Sequence, residues 1–129
     1  MSQNPETRIQ QKCLLTVGKR LDVLAWRQQV GKYRRLDSDA VVSIGDVGMA
    51  DVGMVVSVEI TPEMVGKRVG VYVGVEFKTA TGRQRPEQKD WQRVIESRDA
   101  VYRIVRSESE MIALVDDVKS GRAFREQAW

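Results

Sequence analysis

The chain has 129 residues, 42% hydrophobic and 30% charged, with a net charge of +3, values that suit one soluble globular domain with a real core and leave too little chain for two comfortable ones. It has no histidine and a single cysteine, Cys13, which excludes Ser-His-Asp and Cys-His catalysis, histidine-ligated zinc and an internal disulfide. The polar start MSQNPETRIQ is unlike a signal peptide, and no apolar run approaches the roughly 20 residues of a membrane span, so a cytoplasmic protein is expected.

Residues 4–18 read as a helix: Ile9, Cys13 and Val17 recur every four residues, Leu14 widens the stripe, and Gly18 can stop it. Cys13 is therefore expected in the core. Leu21, Val23 and Ala25 alternate with polar or mixed neighbours as in a strand, and Gly31 turns the chain into a second extended piece, KYRRL. A glycine-punctuated acidic segment follows. From Val52 to Val58 the residues are β-rich and expected to be buried on both faces. Thr61 and Pro62 suit the cap and first residue of a single helical turn.

Residues 69–78 give the clearest strand, with Val69, Val71, Val73, Val75 and Phe77 on one face and Tyr72, Gly74, Glu76 and Lys78 on the other. TATGRQR is a turn, and Pro86 opens a helix to about residue 97. AVYRIV is a short strand. Ser107 and Glu110 form a capping box ahead of Met111, Leu114, Val115 and Val118. The order α-β-β-β-β-α-β-α, without repeats or linker-like stretches, predicts a mixed α/β sheet flanked by helices.

The charges are segregated. Residues 1–36 hold eight Lys/Arg against two acids, and residues 37–66 hold six acids and no Lys or Arg. A basic flank around an acidic middle suits a polyanion that must approach a cation site, although ordinary surface charge produces such patterns too. Glu76 and Lys78 share a strand face opposite the valines, either neutralising each other or surrounding a third party. If the strand starting near Asp51 pairs antiparallel with residues 69–78, Asp51 falls beside Glu76. Two adjacent carboxylates repel unless a proton or a cation lies between them, and a hard divalent ion with oxygen ligands is the economical solution. Lys78 could then orient a water or stabilise developing charge.

Asp51 followed by Glu76-Phe77-Lys78 resembles the D…(D/E)-x-K signature of the PD-(D/E)xK nuclease superfamily. AWRQQVGKYRR, GMADVG, GVEFKTATGRQRPEQKDW and YRIVRSESE resemble, in order, the blocks of one branch, the VRR-NUC (virus-type replication-repair nuclease) domain, as a standalone phage-type member. The resemblance covers nearly all of residues 1–129; Ala50 stands where the superfamily name expects proline.

It implies a restriction-endonuclease-like core and Mg²⁺- or Mn²⁺-dependent hydrolysis of DNA phosphodiesters. It also implies a homodimer acting on four-way (Holliday) junctions or other branched DNA, in the host cytoplasm if phage-encoded. Asp51, Glu76 and the Phe77 carbonyl would hold the metal, and Lys78 would assist the attacking water. Glu6 would complete the shell from the first helix or is simply a solvated acid favoured by the helix dipole. Gln88, on the Trp91–Ile95 face of its helix, is expected to bond the lysine or a phosphate. Arg83, Arg85 and Lys89, with Arg27, Lys32, Arg34 and Arg35, are assigned to DNA as groups. The alternatives are a flap or single-strand nuclease of the same fold, or a non-catalytic nucleic-acid-binding protein.

Overall fold

The computed structural model describes residues 4–29 and 31–124. Those residues form three helices and six strands, an α/β protein. By its internal contacts the chain divides into two compact units, residues 1–54 and 55–129.

The first unit opens with helix α1 (Pro5–Val17), where Asn4 caps the helix by accepting a hydrogen bond from the Glu6 backbone N–H at 2.8 Å and Pro5 occupies the first helical position. Its apolar residues keep the predicted spacing, yet none is buried; Ile9 is 63% exposed and Cys13 is exposed. The expectation of a core cysteine therefore fails, because spacing defines a face without supplying the surface that covers it. Strand β1 (Val23–Arg27) follows, with Val23 buried.

Strand β2 (Gly31–Arg34) pairs antiparallel with β3 (Val41–Ile44), setting Lys32 opposite Ser43 and Tyr33 opposite Val42. Residues 41–44, expected to belong to the glycine-punctuated acidic segment, form a strand instead. Strand β4 (Val52–Val56) pairs with β1, and of its residues only Val55 is buried, so burial on both faces is not found.

In the second unit a short 3-10 turn (Pro62–Met64) forms where Thr61 and Pro62 predict it. Strand β5 (Val73–Phe77) is shorter than the predicted 69–78 and pairs in parallel with β6 (Val101–Val105). Helix α2 (Pro86–Ser97) makes the crossover that a parallel pair needs. Among the described residues, then, β4 has β1 as its neighbour and β5 has β6. The hairpin expected between β4 and β5 is not found among the described residues. Among the described residues the strands pair as three two-stranded sheets.

Helix α3 (Glu108–Ser120) starts at Ser107, whose hydroxyl accepts the Glu110 N–H at 3.2 Å. The Glu110 carboxylate returns one residue earlier than in a standard capping box, accepting from the Arg106 N–H at 2.6 Å. Gly121 ends the helix in the left-handed region at φ 83°, where a Cβ is penalised.

Both faces of the β5–β6 pair are covered, as is usual for parallel strands. The core collects Val101, Val105, Leu114 and Ala123, with Val73, Val75 and Val118 packed against it, so α3 covers the valine face. Helix α2 covers the other, bringing fully buried Ile95 and a row of glutamines.

Candidate active site

The register of the parallel pair sets Gly74 beside Tyr102 and Glu76 beside Ile104, so these residues share the face under α2. At Gly74 a Cβ would lie 3.2 Å from the Tyr102 ring; glycine there lets that ring lie against β5. The Tyr102 hydroxyl accepts a hydrogen bond from Gln84 Nε2 at 3.3 Å, and the same amide nitrogen donates to Gln92 Oε1 at 2.9 Å. Gln92 in turn donates to Glu96 at 2.8 Å. This relay fastens the loop after β5 to α2.

Glu76 and Lys78 lie one strand repeat further along. Their side chains are 27% and 16% exposed, and Lys78 Nζ stands 3.6 Å from Glu76 Oε1. Gln88 Nε2 donates to the same Glu76 oxygen at 2.6 Å. Gln88 is itself oriented, since its Oε1 accepts the Arg85 backbone N–H at 2.9 Å, so its amide can present only nitrogen to the carboxylate. The sequence reading expected Gln88 to meet the lysine or a phosphate; its partner is Glu76.

Two side-chain contacts thus engage Glu76 Oε1. One comes from a cation and one from a neutral donor. A charge on a half-buried strand face is tolerated because its partners stand within reach. Phe77 points to the opposite face and is 67% exposed. Together with Lys78, Thr79, Val105, Arg106, Ser107, Glu108 and Met111 it lines an open cleft of about 530 Å³. That cleft lies at the carboxyl ends of β5 and β6.

Arg83, Arg85 and Lys89 are exposed around the first turn of α2, on the loop and helix that carry Gln88.

The remaining predicted residues belong to the first unit. Asp51 is exposed immediately before β4, and two bonds from Gln28 brace its backbone. The Gln28 N–H donates to the Asp51 carbonyl at 2.8 Å, and Gln28 Nε2 donates to the Ala50 carbonyl at 3.0 Å. A Cβ at Gly53 would fall 2.9 Å from Gln28 and 3.0 Å from the Trp26 ring, so this brace requires glycine in β4. Glu6 lies in the first turn of α1 with its backbone N–H tied to Asn4. Arg27 and Lys32 are exposed on β1 and β2. Arg35 is tied in a bidentate pair to Asp37 at 2.8 and 2.7 Å, which leaves it less free for phosphate than its position in the basic run suggests.

Sequence reasoning missed Gln28 and Gln84, whose roles depend on partners 22 and 8 residues away. It also missed Arg106, described below. Among the described residues no three His, Cys, Asp or Glu side chains gather closely enough to hold a metal by themselves, and no helix is long and apolar enough to cross a membrane. No family model, no curated protein and no solved structure matches the chain.

Proposed function

We propose that the chain is a Mg²⁺- or Mn²⁺-dependent DNA endonuclease of the VRR-NUC type within the PD-(D/E)xK superfamily, acting as a homodimer on four-way junctions or other branched DNA. The observation that carries this reading is the Glu76–Lys78–Gln88 cluster. A carboxylate and an amine project from one strand face, 3.6 Å apart, with a glutamine orienting the carboxylate. A structural ion pair needs no such third party.

The donor chemistry fits the proposed metal. Glu76 is an oxygen ligand with one oxygen engaged by Gln88 and Lys78, and a chain without histidine offers hard ligands rather than imidazole. Glu76 and the Phe77 carbonyl would hold the cation. Asp51 enters as the second carboxylate on its place in the sequence motif, with Glu6 as the candidate addition. Magnesium commonly takes only one or two carboxylates and completes its shell with water and phosphate, so a tight three-acid cluster is not required. When bound, the metal polarises the scissile phosphate and lowers the pKa of a coordinated water.

The protein's own groups do the rest. Gln88 holds Glu76 in one rotamer. The Lys78 amine carries a positive charge beside the place where phosphate charge accumulates, and its N–H groups can orient the attacking water. Arg83, Arg85 and Lys89 draw the DNA backbone to the start of α2.

The test is a cleavage assay over duplex, single-strand, flap, fork and four-way-junction DNA, with Mg²⁺, with Mn²⁺ and with chelator. Metal-dependent incision of the junction is expected. Preference for flaps or single strands would keep the chemistry and replace the substrate; tight binding without cleavage in either metal would leave a nucleic-acid-binding protein.

A further inference from the structure

Arg106 follows β6 immediately, and it is exposed rather than packed in the core. Its Nη1 donates to two main-chain carbonyls, those of Thr79 and Gly82, the latter at 2.8 Å. These are the two ends of the turn that leaves β5 directly after Lys78. The turn is also closed from within, since the Gly82 N–H reaches the Thr79 carbonyl at 3.2 Å and the Thr79 hydroxyl at 3.1 Å. Arg106 is held in its turn, its backbone N–H bonding the Glu110 carboxylate at 2.6 Å.

Gly82 connects this clamp to the lysine. A Cβ added there would lie 3.5 Å from the Lys78 Cβ and 3.1 Å from the Thr79 hydroxyl, so the turn lies directly against the base of the Lys78 side chain. On the other side the Lys78 N–H donates to the Val105 carbonyl at 3.1 Å, one residue before Arg106. Lys78 is therefore pinned by strand pairing behind it and by a fastened turn ahead of it, and both ties lead back to residues 105 and 106. Both bonds leave one nitrogen, and the guanidinium plane fixes the directions of its two N–H groups, whereas the donors of a lysine ammonium rotate about a flexible stem.

We infer that Arg106 is a positioning residue for Lys78: by bridging the Thr79 and Gly82 carbonyls it fixes the turn that holds the Lys78 amine against Glu76. This rests on the nuclease reading for its catalytic consequence, while the clamp itself can be measured without catalysis.

The experiment compares the full chain with Arg106→Gln, Arg106→Lys and Gly82→Ala, the last crowding the Thr79 hydroxyl within the turn without removing a charge. Amide exchange across residues 79–85, kcat on junction DNA, and affinity for the same DNA in Ca²⁺ are measured for each. Arg106→Gln is expected to accelerate exchange in that turn and to lower kcat by up to about 100-fold, the usual cost of a small misplacement, with Ca²⁺-supported affinity unchanged. Arg106→Lys should fall between the two, and Gly82→Ala should lower kcat with the guanidinium intact. Unchanged exchange, or unchanged kcat in a wild-type chain that cleaves, overturns the clamp. A loss of affinity and a shallower salt dependence at constant kcat also overturn it, since they would make Arg106 a phosphate contact. A wild-type chain that binds DNA and cuts none overturns the nuclease reading and the catalytic role of Arg106 with it, whatever the exchange shows.

Discussion

A carboxylate that is to grip a cation must offer it a fixed oxygen, and Gln88 supplies that fixity to Glu76. The bond is 2.6 Å long, and Gln88 is oriented by the Arg85 N–H, so the chain of constraint runs from the helix start to the carboxylate. On the proposed nuclease reading, Glu76→Gln should abolish most metal-dependent cleavage, because a neutral amide holds a hard divalent ion far more weakly than a carboxylate. Lys78→Ala should do the same while sparing metal binding. Gln88→Ala should cost about 10- to 100-fold in metal affinity or turnover, the range typical of a group that orients a ligand. Calorimetric metal titration beside kcat separates the three; near-normal turnover of Glu76→Gln at saturating metal would sink the assignment.

Away from the site, Asp22 beside Arg20 and Asp37 beside Arg35 hold their carboxyls below the usual range, chiefly through the guanidinium hydrogen bonds. A lowered folded-state pKa means that the pair stabilises above the unfolded carboxylate's pKa and loses that contribution as pH falls through the folded value. Both pairs are exposed, so the contribution is small. A double Asp22→Asn, Asp37→Asn variant should melt slightly below wild type at about pH 7 and alongside it near pH 2.

At the scale of elements, local chemistry was legible and partnership was not. The bounds of α2 followed from Pro86 and its apolar face, and the start of α3 from Ser107, because proline geometry and capping act within a turn of the chain. The Glu76 and Lys78 face followed from alternation. Alternation, however, says nothing about which strand lies alongside. Residues 69–78 suit a hairpin with the preceding strand by their alternation, whereas β5 pairs across α2 with β6. The strand β3 was hidden by the aspartates and glycines around it, which read as a loop; its pairing with β2 is set by partners rather than by composition. Gln28 and Arg106 were invisible for the same reason, since each acts on carbonyls, which every residue carries.

Stability should follow packing in the same way. Leu114 is 5% exposed at the centre of the second unit's core, whereas Ile112 on the same helix is 64% exposed. Leu114→Ala is expected to cost about 2–5 kcal/mol, and Ile112→Ala to stay within roughly 0.5 kcal/mol, in denaturant melts. Equal losses at the two positions would mean that Ile112 is covered in solution.

At the scale of the molecule, that last outcome bears on assembly. Ile112, Val115 and Phe124 are exposed along and just beyond α3 at 64%, 49% and 45%, apolar surface that a second subunit would cover. A second copy also answers a need of the proposed substrate. A four-way junction has approximate two-fold symmetry, and one chain supplies one Glu76–Lys78 pair. Two chains about a two-fold axis would present a pair to each of two opposing strands and extend the basic surface formed by Arg83, Arg85 and Lys89. The protein is therefore expected as a homodimer that introduces paired nicks across the junction. Light scattering at assay concentration should give twice the 14.6 kDa chain mass. Ile112→Asp should shift that mass toward the monomer and uncouple the two nicks, leaving single incisions with the metal requirement intact. A strict monomer that still cuts both strands in step would refute the dimer. A stable dimer indifferent to Ile112→Asp would move the interface off α3.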